Sequence, residues 1–137
     1  MNAYVLDTSV AVAWYLEEVF STSARAWQER LLAGKVVLVV PSLHYWEFAN
    51  VLRTLVQRRE LPEDLAREIY ELHIDAPLER GDPDEKVVLH TALQYGATAY
   101  DAVYISLCLS RDIPLITAEK TTTAWVTKLR DRIEPVR

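Results

Sequence analysis

The chain has 137 residues, a hydrophobic content of 50% and a formal net charge of -5. These values fit one ordinary domain with a real core, and argue against a protein that grips nucleic acid through a broad basic face. Only 3 glycines are present and no stretch is of low complexity, so no linker or solenoid repeat divides residues 1–137. A single cysteine, Cys108, excludes an internal disulfide and sits in an apolar run as a small buried hydrophobe would. No apolar stretch approaches 18 residues and no leader-like N-terminus is seen, so a cytoplasmic protein with no membrane association is expected.

Tyr4-Val5-Leu6 is a short apolar strand that stops at Asp7-Thr8-Ser9, where the first helix, Val10 to Leu16, begins. Ser21-Thr22-Ser23 offers a cap for a second helix, Ala24 to Ala33, closed by Gly34. Val36 to Val40 is a strand buried on both faces, and Pro41-Ser42 opens a long helix to about Arg59. Another helix follows Leu61-Pro62 and runs to about Ile74. Pro77 to Glu79 is a short strand candidate, and Asp82-Pro83 has the form of a cap followed by proline at the first helical position. The helix it opens ends at Gly96. Thr98 to Ser110 is helical by its apolar spacing, Pro114 to Thr117 is a strand, Thr121 to Leu129 a helix, and Arg132 to Val136 a last extended stretch. Strands separated by helices, too far apart for hairpins, predict an α/β fold, a three-layer α/β/α sandwich with a mainly parallel sheet. Ligands bind such sheets outside the carboxyl ends of the strands.

Four carboxylates stand out in this frame. Asp7 ends the first strand, Glu119 follows the strand Pro114 to Thr117 by two residues, and Asp101 lies in the first turn of a helix almost free of charge. Glu47 lies on a helix that is apolar on most sides, where Glu47, Asn50, Thr54 and Gln57 form a narrow polar strip carrying one charge. Each admits a plain alternative: helix cap for Asp7, helix-start acid for Asp101, solvated glutamate for Glu47 and Glu119. Together they suggest convergence, which like charges tolerate only around a hard divalent cation such as Mg²⁺ or Mn²⁺. Without these four acids the remaining surface is nearly neutral, so the net charge does not exclude a nucleic-acid substrate. His44, His73 and His90 lack ligand-like spacing to one another or to Cys108 and predict no zinc site. Trp14, Tyr15, Phe20, Trp27 and Trp46 divide between core and, where several are exposed, a partner-binding patch.

Val5-Leu6-Asp7-Thr8-Ser9, Glu47-Phe48-Ala49-Asn50-Val51-Leu52-Arg53, Ala99-Tyr100-Asp101-Ala102-Val103-Tyr104 and Leu115-Ile116-Thr117-Ala118-Glu119 resemble, in order, the four motifs of the PIN-domain nucleases. Within that family the chain is most similar to the compact VapC-type toxins of toxin-antitoxin pairs. The resemblance implies a Mg²⁺- or Mn²⁺-dependent endoribonuclease with Asp7, Glu47, Asp101 and Glu119 as catalytic metal ligands. Ser9 and Asn50 would position them. It further implies an RNA substrate, a cognate antitoxin and a homodimer. The fourth motif departs from the family, which has Asp where this chain has Glu119, so that direct ligation and contact through water are both open there. Arg53, Arg58 and Lys120 are the cations expected to flank the RNA. A non-catalytic PIN-like module with a vestigial acidic cluster is the alternative, and a receiver-like phosphorylation domain is disfavoured because Asp7 has no acidic neighbour after the first strand.

Overall fold

A computed structural model describes residues 1–137. In chain order the elements are β1 (Asn2–Leu6), α1 (Thr8–Tyr15), α2 (Ser21–Leu32), β2 (Val36–Val40), α3 (Ser42–Gln57), α4 (Glu63–Asp75), β3 (Glu79–Arg80), α5 (Glu85–Tyr95), α6 (Ala99–Arg111), β4 (Leu115–Thr117), α7 (Ala124–Leu129) and β5 (Ile133–Pro135), with one 3-10 turn at Arg130–Arg132.

The five strands form one sheet in the order β3-β2-β1-β4-β5, and every pairing is parallel. Side chains on a strand alternate between faces, and the core divides accordingly. Leu6, Leu38, Val40 and Ile116 face one hydrophobic layer with α1, α2, α3 and α4, whereas Val5, Val39 and Leu115 face a second layer with α6 and α7. This is the expected three-layer α/β/α sandwich. The chain builds outward from β1 to β3 on one side, then returns to place β4 and β5 on the other, so the strand order reverses between β1 and β4. That reversal opens the crevice in which parallel sheets hold ligands.

Most elements lie where the apolar spacing puts them, and the departures have local causes. Asp82 does not cap the following helix. Its carboxylate accepts from the Ser42 N–H and hydroxyl, both at 2.8 Å, and so caps α3, whose own N-cap residue, Pro41, has no side-chain acceptor. The helix after Asp82 begins two residues late, with Asp84 accepting from the Lys86 N–H at 3.0 Å. Helix α2 begins at Ser21, whose hydroxyl ties the preceding turn to the Ala13 carbonyl at 3.1 Å instead of capping. Helix α7 begins at Ala124, not Thr121, and β3 lies at Glu79–Arg80, not Pro77 to Glu79. Trp14 and Trp27 are buried and only Trp46, at 68% exposure, stands out in solvent, so the early aromatics do not make a surface patch. Cys108 is fully buried, as expected. No helix is long and apolar enough to cross a membrane.

Candidate active site

Asp7 and Glu119 come together because their strands do. The Asp7 N–H donates to the Ile116 carbonyl at 3.0 Å, stitching the end of β1 to β4. Asp7 occupies the N-cap position of α1, and its carbonyl accepts from Val10 at 3.1 Å, but its carboxylate makes no capping bond. The carboxylate instead accepts from the Thr117 hydroxyl at 2.7 Å and from Ser9 at 3.2 Å. A side chain serving as a cap would bond the backbone of the first turn. Asp7 is therefore aimed away from its helix, into the crevice.

Glu47 arrives from α3. Its Oε1 accepts from the Tyr104 hydroxyl at 2.6 Å, with the Thr8 hydroxyl 3.0 Å away, which fixes a carboxylate on a largely apolar helix. Asp101 sits in the first turn of α6, where the Thr98 hydroxyl caps its N–H at 3.1 Å and the helix N-terminus favours a negative charge. Glu119 is exposed. Its N–H donates to Thr117 at 3.0 Å, and its own carboxylate has only a long 3.5 Å contact from Thr123.

All four carboxylates line one cleft of about 480 Å³, together with Ser9, Lys120 and the apolar side chains of Phe20, Val51 and Ala118. None of the four takes part in a salt bridge; the ion pairs of this protein lie elsewhere. The electrostatic consequence falls on Asp7. Burial, with smaller contributions from the Glu47 and Asp101 charges, raises its pKa from 3.8 to about 6, against the opposing bonds from Thr117 and Ser9. Asp101 is shifted in the same direction, by burial first and then by Glu119. An all-oxygen donor set with uncompensated, partly desolvated negative charge has the chemistry of a hard divalent cation site. No three His, Cys, Asp or Glu side chains are close enough to hold an ion as they stand.

The remaining expected residues separate. Ser9 and Lys120 reach the cleft; Asn50, Arg53 and Arg58 do not. A helix turns by about 100° per residue, so Asn50 and Arg53, three and six residues on from Glu47, stand about 60° and about 120° around α3 from it, whereas Val51, four residues on, stays in the cleft. Arg53 instead lines a groove of about 280 Å³ between α3 and α4, with Glu63, Arg67 and Tyr70. Arg58 is exposed just beyond α3, and Asn50 is exposed on it. Three residues that hold the carboxylates were not singled out by the sequence: Thr117, Tyr104 and, behind Thr8, His44. The available signals were spacing ones, since Tyr104 follows Asp101 by three on one helix face and His44 precedes Glu47 by three on another. His44 and His73 are fully buried and bond each other through their Nε2 atoms at 2.8 Å.

An all-parallel three-layer α/β protein with an acidic cleft at the reversal of its strand order is the class that fold and site define. The chain belongs to the PIN domain family, whose model matches residues 4–122. No curated protein sequence matches significantly. Among solved structures it is similar to PAE2754 from Pyrobaculum aerophilum, at 20% identity over 96% of this chain and 83% of that one, with a TM-score of 0.75. VapBC2 from Rickettsia felis, solved bound to a DNA fragment from its promoter, matches at 16% identity over 98% and 99% of the two chains, with a TM-score of 0.66. VapC20 from Mycobacterium tuberculosis, described as a Sarcin-Ricin loop cleaving toxin, matches at 14% identity over 85% and 88%, with a TM-score of 0.59.

Proposed function

We propose that this chain is a Mg²⁺- or Mn²⁺-dependent endoribonuclease, a cytoplasmic single-domain toxin of a toxin-antitoxin pair. The observation that carries the reading is the set of four carboxylates, free of salt bridges, lining one cleft at the strand-order reversal. Membership of the PIN family and the toxin character of the structural relatives point the same way.

When bound, a divalent cation supplies Lewis acidity to the attacking water and to the scissile phosphate. Asp7, Asp101 and Glu47 are the residues that would hold it, with Glu119 at the exposed rim joining directly or through water. The Thr117 and Ser9 hydroxyls orient the Asp7 carboxylate, and Tyr104 and Thr8 orient that of Glu47. Lys120, on the wall of the cleft, offers its charge to the RNA backbone. By resemblance to the PIN-domain nucleases, hydrolysis would leave a 3′-hydroxyl and a 5′-phosphate. A cognate antitoxin and a homodimeric state complete the reading, by similarity to the toxin-antitoxin complexes among the relatives.

The test is cleavage of a pool of structured RNAs, with ribosomal and transfer RNAs included, in Mg²⁺, Mn²⁺ or EDTA. Metal-dependent cleavage is expected, with 5′-phosphate ends and with loss of activity in Asp7→Asn and Asp101→Asn at unchanged circular dichroism. A wild-type protein that cuts nothing in either metal would leave the non-catalytic binding module in its place.

A further inference from the structure

Behind Glu47 lies a continuous line of polar contacts running into the core. Tyr104 Oη is 2.6 Å from Glu47 Oε1, Thr8 Oγ1 is 2.6 Å from Tyr104 Oη, and His44 Nδ1 is 3.2 Å from Thr8 Oγ1. The two imidazoles meet through their Nε2 atoms at 2.8 Å, and His73 Nδ1 is 3.0 Å from the hydroxyl of Tyr15. We propose that Tyr15, His73, His44, Thr8 and Tyr104 form a one-way hydrogen-bond relay whose donors all point toward Glu47, and that the relay positions the Glu47 carboxylate.

The direction follows from counting protons. Each contact needs one hydrogen between its two heavy atoms. Each hydroxyl and each neutral imidazole carries one, and an ionised carboxylate carries none. Five groups thus supply five protons to the five contacts of the line, while two side contacts, Thr8 to Glu47 at 3.0 Å and His44 Nδ1 to the Tyr104 hydroxyl at 3.5 Å, have no proton of their own. Because Glu47 can only accept, Tyr104 donates to it. Tyr104 then has no proton for Thr8, so Thr8 donates to Tyr104 and accepts from His44 Nδ1–H. His44 Nε2 is consequently bare and accepts from His73 Nε2–H, and the bare His73 Nδ1 accepts from Tyr15. The other uses of the Thr8 proton fit worse. Given to Glu47 at 3.0 Å, it leaves one of the two 2.6 Å oxygen contacts with no hydrogen, though His44 still donates to Thr8. Given to His44, it reverses both rings and again empties the 2.6 Å contact between Thr8 and Tyr104.

Both rings must be neutral for the count to hold, and their surroundings enforce this. An imidazolium carries N–H on both nitrogens, so two charged rings cannot face each other at 2.8 Å. No carboxylate bonds either ring. His73 stacks on Phe48 with centroids 4.3 Å apart and packs edge-on to Trp14 and Tyr15. Burial, followed by His73 and Arg80, holds the pKa of His44 well below the usual value, and burial lowers that of His73 to about 4. The consequence for the cleft is that Oε1 of Glu47 is tied to the inner wall by a short, charge-assisted bond, while Oε2 has no protein donor.

The direction of the relay stands apart from any activity; its use as a positioning device rests on the nuclease reading of Glu47. The test is ¹⁵N NMR of the imidazoles in the metal-free, full-length wild-type protein. Expected is His44 protonated on Nδ1 and bare on Nε2, with His73 protonated on Nε2 and bare on Nδ1. The opposite pair of tautomers overturns the relay. Thr8→Val removes the nearer acceptor of His44 Nδ1–H, leaving only the Tyr104 hydroxyl at 3.5 Å, and should switch both rings to the opposite tautomers, while Thr8→Ser keeps them. By calorimetry, Thr8→Val should weaken Mn²⁺ binding about tenfold and Thr8→Ser should restore it to within about threefold, the usual scale for groups that orient a metal ligand. Unchanged Mn²⁺ affinity in Thr8→Val overturns the positioning role. The expected tautomers and affinities in a protein that cuts no RNA would sink the nuclease reading and leave the relay standing.

Discussion

Thr117 donates its hydroxyl to the Asp7 carboxylate across 2.7 Å, and the same oxygen accepts the Glu119 N–H at 3.0 Å. One buried side chain at the end of β4 therefore sets the carboxylate of one strand end and the backbone of the other. Thr117→Val keeps the branched shape and removes both bonds. A loss of about 1 kcal/mol in urea unfolding is expected, because the Asp7 carboxylate loses its shortest donor and the part-buried Glu119 N–H its acceptor. The Asp7 pKa should rise further, visible in a ¹³C carboxyl titration, since the Thr117 bond lowers it.

Asp7 also sets a pH dependence. Its pKa is about 6 in the folded chain against 3.8 for the free side chain, so the folded state holds the proton more tightly. Stability from this group is gained as pH falls through about 6 toward about 4, and is lost as pH rises over that window. The contribution is at most about 3 kcal/mol for a shift of this size. In EDTA, the wild-type urea midpoint should fall between pH 4 and pH 6.5 more steeply than that of Asp7→Asn, which should be the more stable of the two at pH 7. Equal slopes would mean that Asp7 carries no buried charge.

Mn²⁺ or Mg²⁺ should reverse that penalty. An ion that binds only the native state raises stability by about 2.7 kcal/mol at a hundred times its Kd. Differential scanning fluorimetry across millimolar Mn²⁺ should show a rising Tm for the wild type and a flat one for Asp7→Asn. A flat wild-type curve would count against the cation site.

Glu119 is the exposed member of the four, and its substitution should be the mildest. Glu119→Gln is expected to slow RNA cleavage by about 10–100-fold, the scale of groups acting through a neighbour or a water. Asp7→Asn should abolish cleavage. Equal losses in the two variants would place Glu119 among the direct ligands.

Asp82→Ala removes the two bonds that cap α3 from a segment 40 residues further along the chain. A cap of this kind is worth about 1–2 kcal/mol, and the loss should appear in the urea midpoint. Hydrogen exchange should quicken in the first turn of α3, two turns at most from Glu47.

The sequence carries the sheet and the carboxylates because both are written in local pattern. The five β-formers of Val36 to Val40 cannot be mistaken, and Asp7 is adjacent to the strand that presents it. What it does not carry are relations across the chain. Asp82 looks like the cap of its own helix because the partner it serves, Ser42, is distant in sequence. Arg53 and Asn50 lie on the same helix as Glu47, yet their positions around its axis keep them out of the cleft. Tyr104 and His44 are buried in the core, and that their polar atoms line up behind Glu47 depends on packing between α3, α6 and α1.

Reversal of strand order between β1 and β4 also governs when the cleft can exist. Asp7 emerges first from the ribosome, but β1 gains β4 only after residue 117 has been made, and Glu119 follows it. Synthesis proceeds from the N-terminus and parallel pairing over such a separation is slow. A nascent chain thus presents Asp7, Glu47 and Asp101 without Glu119 until β4 has been made and paired. On the nuclease reading proposed above, the growing chain could cut no RNA until β4 has docked on β1.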